Sequence, residues 1–248
     1  PLPTPPCDTT TADALLVTTP RGAKLEALAD FPAGPGPFPT VVLAPGQAYP
    51  MNLWALAQPA RRLVDQGIAV YRFNWTYFTR TPRGGPSEDL SLELEDLSAV
   101  VAVAQADPRV DRARLSVGGK SLGSLVAWRA FSSDKSLKSG LFLTPICSRA
   151  TAGQSAPTPV AEQNYPGISS EHRPIAFILG DRDPLCAPPV LYRFAANAAG
   201  PARVAVVGGD HGFENRLLPG AAADQARDRN IQAVAQLAVI FIVDTAAE

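Results

Sequence analysis

Three side chains far apart in the chain could together move a proton. Ser121 lies in Gly119-Lys120-Ser121-Leu122-Gly123. A serine hydroxyl is a weak nucleophile until a base takes its proton, and near neutral pH histidine suits that task best. The chain has two histidines. His172 sits between Glu171 and Arg173 and reads as solvated, whereas His211 follows an apolar run in the glycine-flanked stretch Gly208-Gly209-Asp210-His211-Gly212. His211 is therefore the expected base. Its imidazole needs a carboxylate to fix the tautomer and stabilise the charged form. Asp183, in Gly180-Asp181-Arg182-Asp183-Pro184, is the favoured acid. Asp181 is expected to bond loop backbone instead, and Asp210, next to the histidine, to hold its own loop.

An acyl-transfer site also needs two preorganised N–H donors for the developing oxyanion. One is expected from Leu122, directly after the serine. The other is expected from Gln47, with Ala48 behind it, in Pro45-Gly46-Gln47-Ala48. Trp75, Tyr77 and Phe78 could line the acyl or alcohol pocket, or simply pack their loop against the body of the protein. Lys120 could lend positive potential to the cleft mouth, although a lysine there is more often solvated.

These residues must be positioned by the ends of strands. Leu115–Val117 reads as a buried strand and the stretch from Leu122 as a helix, so Ser121 falls on a tight strand-to-helix turn. The glycines on either side leave room that a Cβ would fill. Upstream, Ala14–Thr18 and Ala23–Ala29 alternate around Pro20-Arg21-Gly22, which predicts an antiparallel hairpin at a sheet edge. Thr40–Ala44 is a fully apolar strand of the kind buried on both faces. Asn52 could cap a helix running to about Gln66, with Gly67 as its stop. Ile68–Phe73 is the next strand, and an amphipathic helix begins near Ser87. Downstream, Leu141–Ile146, Pro174–Leu179 and Arg203–Val207 read as strands, Pro189–Ala199 and about Ala221–Val243 as helices. Strands alternating with helices predict a mostly parallel sheet with helices on both faces. Right-handed crossovers then gather the strand C-termini, and with them all three chemical groups, along one edge.

The chain has 248 residues, is 46% hydrophobic and carries a formal net charge of -1. That length and the absence of a linker or repeat fit one domain from residue 13 onward. The small net charge gives no reason to expect nucleic acid as a partner. No membrane partner is expected either, since Leu237–Val243 is interrupted too soon for a span. Cys7, Cys147 and Cys186 allow one bridge, with no pairing preferred, and two histidines make a His/Cys metal site unexpected. No cofactor is expected. The chain begins at Pro1, and residues 1–12, rich in Pro and Thr, read as a flexible segment. Such a start fits a secreted or periplasmic protein after removal of a signal peptide.

Taken together, these motifs resemble the α/β-hydrolase superfamily over roughly residues 13 to 245. Gly-Lys-Ser121-Leu-Gly is similar to the elbow of the small, cap-less, dienelactone-hydrolase-like branch, some of whose members carry Lys before the serine. The order Ser121, Asp183, His211 is the family's order. Pro45-Gly46-Gln47-Ala48 stands where the family often has His-Gly-x-Gly, so Pro45 and Ala48 depart from it, and Ser124 replaces a second glycine. True dienelactone hydrolases use Cys as nucleophile, so their substrate does not carry over. The short segment between the strands at 141 and 174 implies an open cleft or a small flap rather than a lid domain.

The resemblance implies a serine hydrolase that cleaves small-molecule carboxylic esters through an acyl-enzyme, a carboxylesterase. A peptidase or an acyltransferase would use the same groups. A non-catalytic binding module on the same fold is the alternative of a different class. Acyl-chain preference and oligomeric state are not encoded in any motif.

Overall fold

A computed structural model describes residues 11–80, 83–151 and 153–247. Cys7 lies outside the described residues, and so does the expected flexible segment except for its last two residues. Thr11 and Ala12 belong to the first strand, paired with Phe31 and Asp30.

The elements run β1 (Thr11–Thr18), β2 (Lys24–Phe31), β3 (Phe38–Ala44), α1 (Trp54–Asp65), β4 (Ala69–Phe73), α2 (Thr76–Thr79) and α3 (Ser91–Ala106). They continue with β5 (Val110–Lys120), α4 (Leu122–Ser133), β6 (Gly140–Leu143), β7 (Ser148–Arg149), β8 (Thr158–Pro159) and α5 (Ala161–Asn164). A short 3-10 turn (Ile168–Ser170), β9 (Ile175–Gly180), α6 (Pro188–Ala195), β10 (Ala202–Val207) and α7 (Gly220–Ala247) complete the order.

Eight strands form one sheet in the order β1-β2-β4-β3-β5-β6-β9-β10. The β1–β2 hairpin is antiparallel and lies at the edge, β2 meets β4 antiparallel, and every pair from β4 to β10 is parallel. The hairpin turns at Gly22, whose φ of 81° requires a residue free of a Cβ. The parallel strands β4, β6 and β9 are buried at every position, because helices cover both faces.

One face packs Val41, Leu43, Leu141 and Ile178 against α1 and α7. The other packs Val42, Val117, Phe142 and Phe177 against α3, α4 and α6, with Trp128, Phe131 and Tyr165 in an aromatic cluster. Among its described residues the segment 148–173 holds the two-residue β7–β8 ladder, α5 and the 3-10 turn, and Tyr165 and Ile168 anchor it in the core. Among the described residues there is no large cap.

Several boundaries differ from the sequence reading. Asn52 does not cap α1: the helix begins at Trp54 after Leu53, with no side-chain cap, and Asn52 Oδ1 instead accepts from Arg72 at 3.4 Å. Gly67 does stop the helix, with φ 82°. Helix α3 starts at Ser91, four residues beyond Ser87; from outside the helix Ser87 donates its N–H and hydroxyl to Glu93, and its Oγ accepts the Leu92 N–H at 3.3 Å. Strand β5 extends from Val110 to Lys120, far beyond the three residues read from the apolar run, whereas β6 is shorter than expected and ends at Leu143.

Helix α7 corrects the statement about membrane length. It has 28 residues, and its most apolar 18-residue window has a mean hydropathy of 1.5, which is long and apolar enough for a span. Ile231, Val234, Ala238, Phe241 and Ile242 of this helix are buried against α1 and the sheet.

Candidate active site

Strand β5 delivers Ser121 in a backbone conformation that L-residues rarely adopt, with φ 55° and ψ −119°. Its N–H donates to Leu143 O at 3.0 Å, tying the turn to the end of β6. The two glycines of the turn are sterically required. A Cβ at Gly119 would stand 2.3 Å from Gly123 O, and one at Gly123 would stand 2.4 Å from Ala44 O. Gly123 is therefore where α4 passes the end of β3.

The acid and the base come from the neighbouring strand ends. A Cβ at Gly180 would meet Gly209 O at 2.3 Å, so only glycine lets the loops after β9 and β10 touch backbone to backbone. Asp181 N–H donates to Val207 O at 2.8 Å, and Asp181 Oδ1 accepts the Gly209 N–H at 2.7 Å, the loop-bonding role expected of it. Asp210 Oδ1 accepts from the N–H groups of Gly212 and Glu214, again as expected. Asn230 of α7 donates to Phe213 O at 2.9 Å and closes the loop from behind.

The outcome is a continuous chain of hydrogen bonds. His211 Nε2 lies 2.8 Å from Ser121 Oγ, and His211 Nδ1 lies 2.9 and 2.8 Å from the two oxygens of Asp183. The Asp183 side chain is wholly buried, while His211 keeps 22% of its side-chain surface. Asp183 also accepts the Leu185 N–H at 2.8 Å. Ninety residues separate serine from histidine in the chain. His172, by contrast, is exposed.

The acid loop has a covalent tether. Cys147 and Cys186 form a disulfide between the loop after β6 and the loop carrying Asp183, three residues from the carboxylate. Cys147 N–H and Ser148 N–H both donate to Leu185 O at 3.0 Å beside it.

On the other side of Ser121, Gly46 through Tyr49 make a turn closed by Tyr49 N–H to Gly46 O at 3.3 Å. Gly46 packs so closely that an added Cβ would lie 3.5 Å from Ser121 Cβ and 3.3 Å from Tyr49 Cβ. Gln47 and Ala48 are exposed. Ala48 has φ 50° at a turn position normally given to glycine. Leu122 opens α4, so its N–H is among the groups a helix leaves without an internal partner.

Trp75 and Tyr77 are both buried. The Trp75 indole N–H donates to Pro45 O at 3.0 Å. It therefore props the turn that carries Gln47. Tyr77, buried and stacked 6.5 Å from Trp75, lines a cleft of about 650 Å³ with Arg21, Lys24, Glu26 and Arg80, which includes none of Ser121, Asp183 and His211. Phe78 is half-buried under the Arg83 guanidinium, 4.1 Å from its ring centroid. Large aromatics after a strand end are as apt to support a loop as to line a cavity, and here Trp75 belongs to the core, Tyr77 borders a cleft and Phe78 packs against the core's edge.

Two residues do something other than what the sequence reading gave them. Ser124, expected only as a departure from glycine, donates to Ser121 O at 2.6 Å and shares a 2.8 Å hydrogen bond with Tyr165, which accepts the Ile146 N–H. Lys120 is not solvated. It is 3% exposed, its ammonium donates to His211 O at 3.0 Å and lies 4.9 Å from the Tyr49 ring centroid. Burial pushes it down to about 8, against the attraction of Asp183, Asp210 and Glu214. The signal was faint, because β5 also carries Asp111, Arg112 and Arg114, and a further charge at its end does not stand out in sequence.

The strand order and the eight-stranded sheet with its hairpin are those of the α/β-hydrolase fold. Solved structures share it. Est1E from Butyrivibrio proteoclasticus superposes with a TM-score of 0.70 at 17% identity, covering 95% of this chain and 99% of that one. A lid-less α/β serine hydrolase from Xanthomonas campestris gives 0.66 at 20% identity, covering 96% and 97%. A dienelactone hydrolase from Anabaena variabilis gives 0.68 at 16%, covering 95% and 98%. No curated protein matches the chain. Residues 38–242 match the family described as "Alpha/beta hydrolase domain", and the chain belongs to that family.

Proposed function

We propose that the protein is a serine hydrolase that cleaves carboxylic esters of small molecules by way of an acyl-enzyme. The observation that carries this reading is the unbroken run Ser121 Oγ, His211, Asp183, with every link at 2.8 to 2.9 Å. Ser121 attacks the ester carbonyl carbon while His211 Nε2 takes its proton. Asp183 holds Nδ1–H and stabilises the imidazolium. The carbonyl π electrons move to oxygen, and the N–H groups of Leu122 and Gln47 receive that oxyanion. Collapse of the tetrahedral adduct expels the alcohol, protonated by His211. Water, deprotonated by the same imidazole, then releases the acid and restores Ser121.

The lack of a large cap and the exposed Gln47 turn favour substrates that reach the serine from an open surface. The likeness to Est1E, which is also described with ferulic acid bound, fits ester chemistry. The Cys147–Cys186 bridge fits an oxidising compartment, in line with the secreted or periplasmic reading. The reading takes residues 13–248 as one domain and needs no cofactor.

The test is hydrolysis of short p-nitrophenyl esters together with labelling by a fluorophosphonate. Wild-type protein should do both, and Ser121→Ala neither. Failure of the wild type with a broad ester panel and with the fluorophosphonate would instead favour a binding module on this fold.

A further inference from the structure

Lys120 and Ser121 are successive residues at the end of one strand, so their Cα atoms lie about 3.8 Å apart across a rigid peptide. Ser121 carries the hydroxyl. Lys120 reaches to the far side of the site and grips the backbone of the histidine itself, His211 O, at 3.0 Å. The strand end that aims the hydroxyl thus also fixes the loop that aims the imidazole. Lys120 is firmly placed, because its backbone pairs with Leu143 of β6.

An ordinary structural lysine would find a carboxylate. Among the described residues Lys120 has no direct ion pair. Asp210 and Glu214 are engaged by Arg216 at 2.8 and 3.5 Å, and Asp183 by His211. The groups facing the ammonium are the His211 carbonyl, the Tyr49 ring and the more distant carboxylates of Asp183, Asp210 and Glu214. A charge buried with a single backbone acceptor lowers stability, so its presence calls for a role that an apolar side chain would not fill.

We propose, resting on the serine-hydrolase reading, that Lys120 is a positioning residue whose charged ammonium holds the His211 loop at the distance from Ser121 that proton transfer requires. It touches neither substrate nor reacting atoms. Misplacing the base by about 1 Å is enough to cost about 100-fold in rate.

The pH dependence separates this role from a structural one. Burial lowers the ammonium from the ordinary 10.5 to about 8. Between those values the unfolded chain holds the proton and the folded chain has lost it, so stability rises with pH there. The rate should move the other way, falling as the ammonium loses its charge near pH 8. A lysine serving stability alone would show the same rise in stability while the rate stayed level across that window.

The experiment compares wild type with Lys120→Met and Lys120→Arg, following p-nitrophenyl acetate hydrolysis, fluorophosphonate labelling rate and melting temperature from pH 6 to 10. The expected result is a loss of about 10- to 100-fold in kcat for Lys120→Met, with KM within about 2-fold. The labelling rate should fall by the same factor and the melting temperature should not drop. Lys120→Arg should recover part of the rate. The wild-type fall near pH 8 should vanish in Lys120→Met. Retention of wild-type kcat and labelling rate by Lys120→Met overturns the proposal, as does a loss accompanied by a lower melting temperature. If Lys120→Met does not fold, a wild-type labelling rate that stays level from pH 7 to 9.5 overturns it. A wild type that neither labels nor turns over rejects the hydrolase reading and this proposal together. A wild type that labels beside an equally reactive Lys120→Met rejects the lysine's role alone.

Discussion

The two ends of the parallel sheet are built on opposite principles. At the N-terminal ends, charges are paired well. Arg109 and Arg173 precede β5 and β9 and grip carboxylates through several bonds. Asp107 accepts from Arg109 and from the Tyr71 hydroxyl, and Arg109 holds it down at about 2. Burial pulls Glu171 upward, yet hydrogen bonds from Arg173 outweigh it and leave the carboxyl at about 2. The spare Arg173 donors reach three carbonyls, of Phe131, Asp134 and Leu137.

At the C-terminal ends the backbone is strained and a charge is poorly met. Ala48, Ser121, Thr144 and Phe213, each following a strand, have φ between 40° and 62°. None is glycine. A lysine is buried there, and burial lowers it. The lesson is that stability and chemistry occupy separate edges of one scaffold: the well-paired edge offsets what the strained edge gives up.

That contrast can be broken at either edge. The largest effect should come from Asp183→Asn, which keeps the shape but leaves His211 Nδ1 facing a group that favours the wrong tautomer. We expect kcat on a p-nitrophenyl ester to fall by about 10³- to 10⁴-fold with little change in melting temperature. A modest loss would mean that Asp183 only shapes its loop.

At the opposite edge, Glu171→Gln should leave kcat unaltered and lower stability by about 2–3 kcal/mol at pH 7. The folded value near 2 lies below the ordinary 4.5, so the contribution is whole above pH 4.5 and disappears as the pH falls toward 2. Urea unfolding at pH 7 and at pH 3 reads this directly. Wild type and variant should converge in acid. A constant gap at both pH values would show that packing, not charge, sets the difference.

Gln47 sharpens the contrast within the site. Gln47→Pro removes the backbone N–H at a turn position that accepts proline, and should lower kcat by about 100-fold. Gln47→Ala keeps the N–H and should stay within about 2-fold. Equal losses in the two variants would point to the side chain instead. The smallest effect belongs to Ala48→Gly. Relief of the left-handed alanine should add about 1 kcal/mol of stability, read by urea unfolding, if the turn stays as it is. No gain would mean that the neighbouring Trp75–Pro45 contact already absorbs the strain.

Much of this molecule is written locally. The apolar runs Val41–Ala44 and Ile175–Leu179 mark buried parallel strands, because a strand covered on both faces has no polar position to spare, whereas β10 at the sheet edge is only half-buried and carries Arg203. The spacing of Gly119, Ser121 and Gly123 marks the tight turn, because a Cβ at either glycine would collide with backbone. From chain order alone, Ser121, Asp183 and His211 could be brought to one edge. Boundaries were less legible. Ser87 carries the mark of a helix start but donates to Glu93 from outside the helix, and Asn52, which has the chemistry of a cap, serves Arg72 instead. Either residue can satisfy its hydrogen bonds in more than one way, and only the surroundings choose.

What the sequence by itself determined is the scaffold and the candidate trio Ser121, Asp183 and His211, because periodicity, glycine clearance and residue chemistry are properties of neighbours along the chain. What only the tertiary structure decided is everything that depends on which strand ends lie side by side. The pairing of Cys147 with Cys186, the bond from Trp75 to the Pro45 carbonyl, the bond between Ser124 and Tyr165 and the burial of Lys120 beneath His211 are of this kind. Each joins groups tens of residues apart or sets a side chain's direction by what is packed around it, and neither distance in space nor exclusion of water can be read from a residue's own neighbours in sequence.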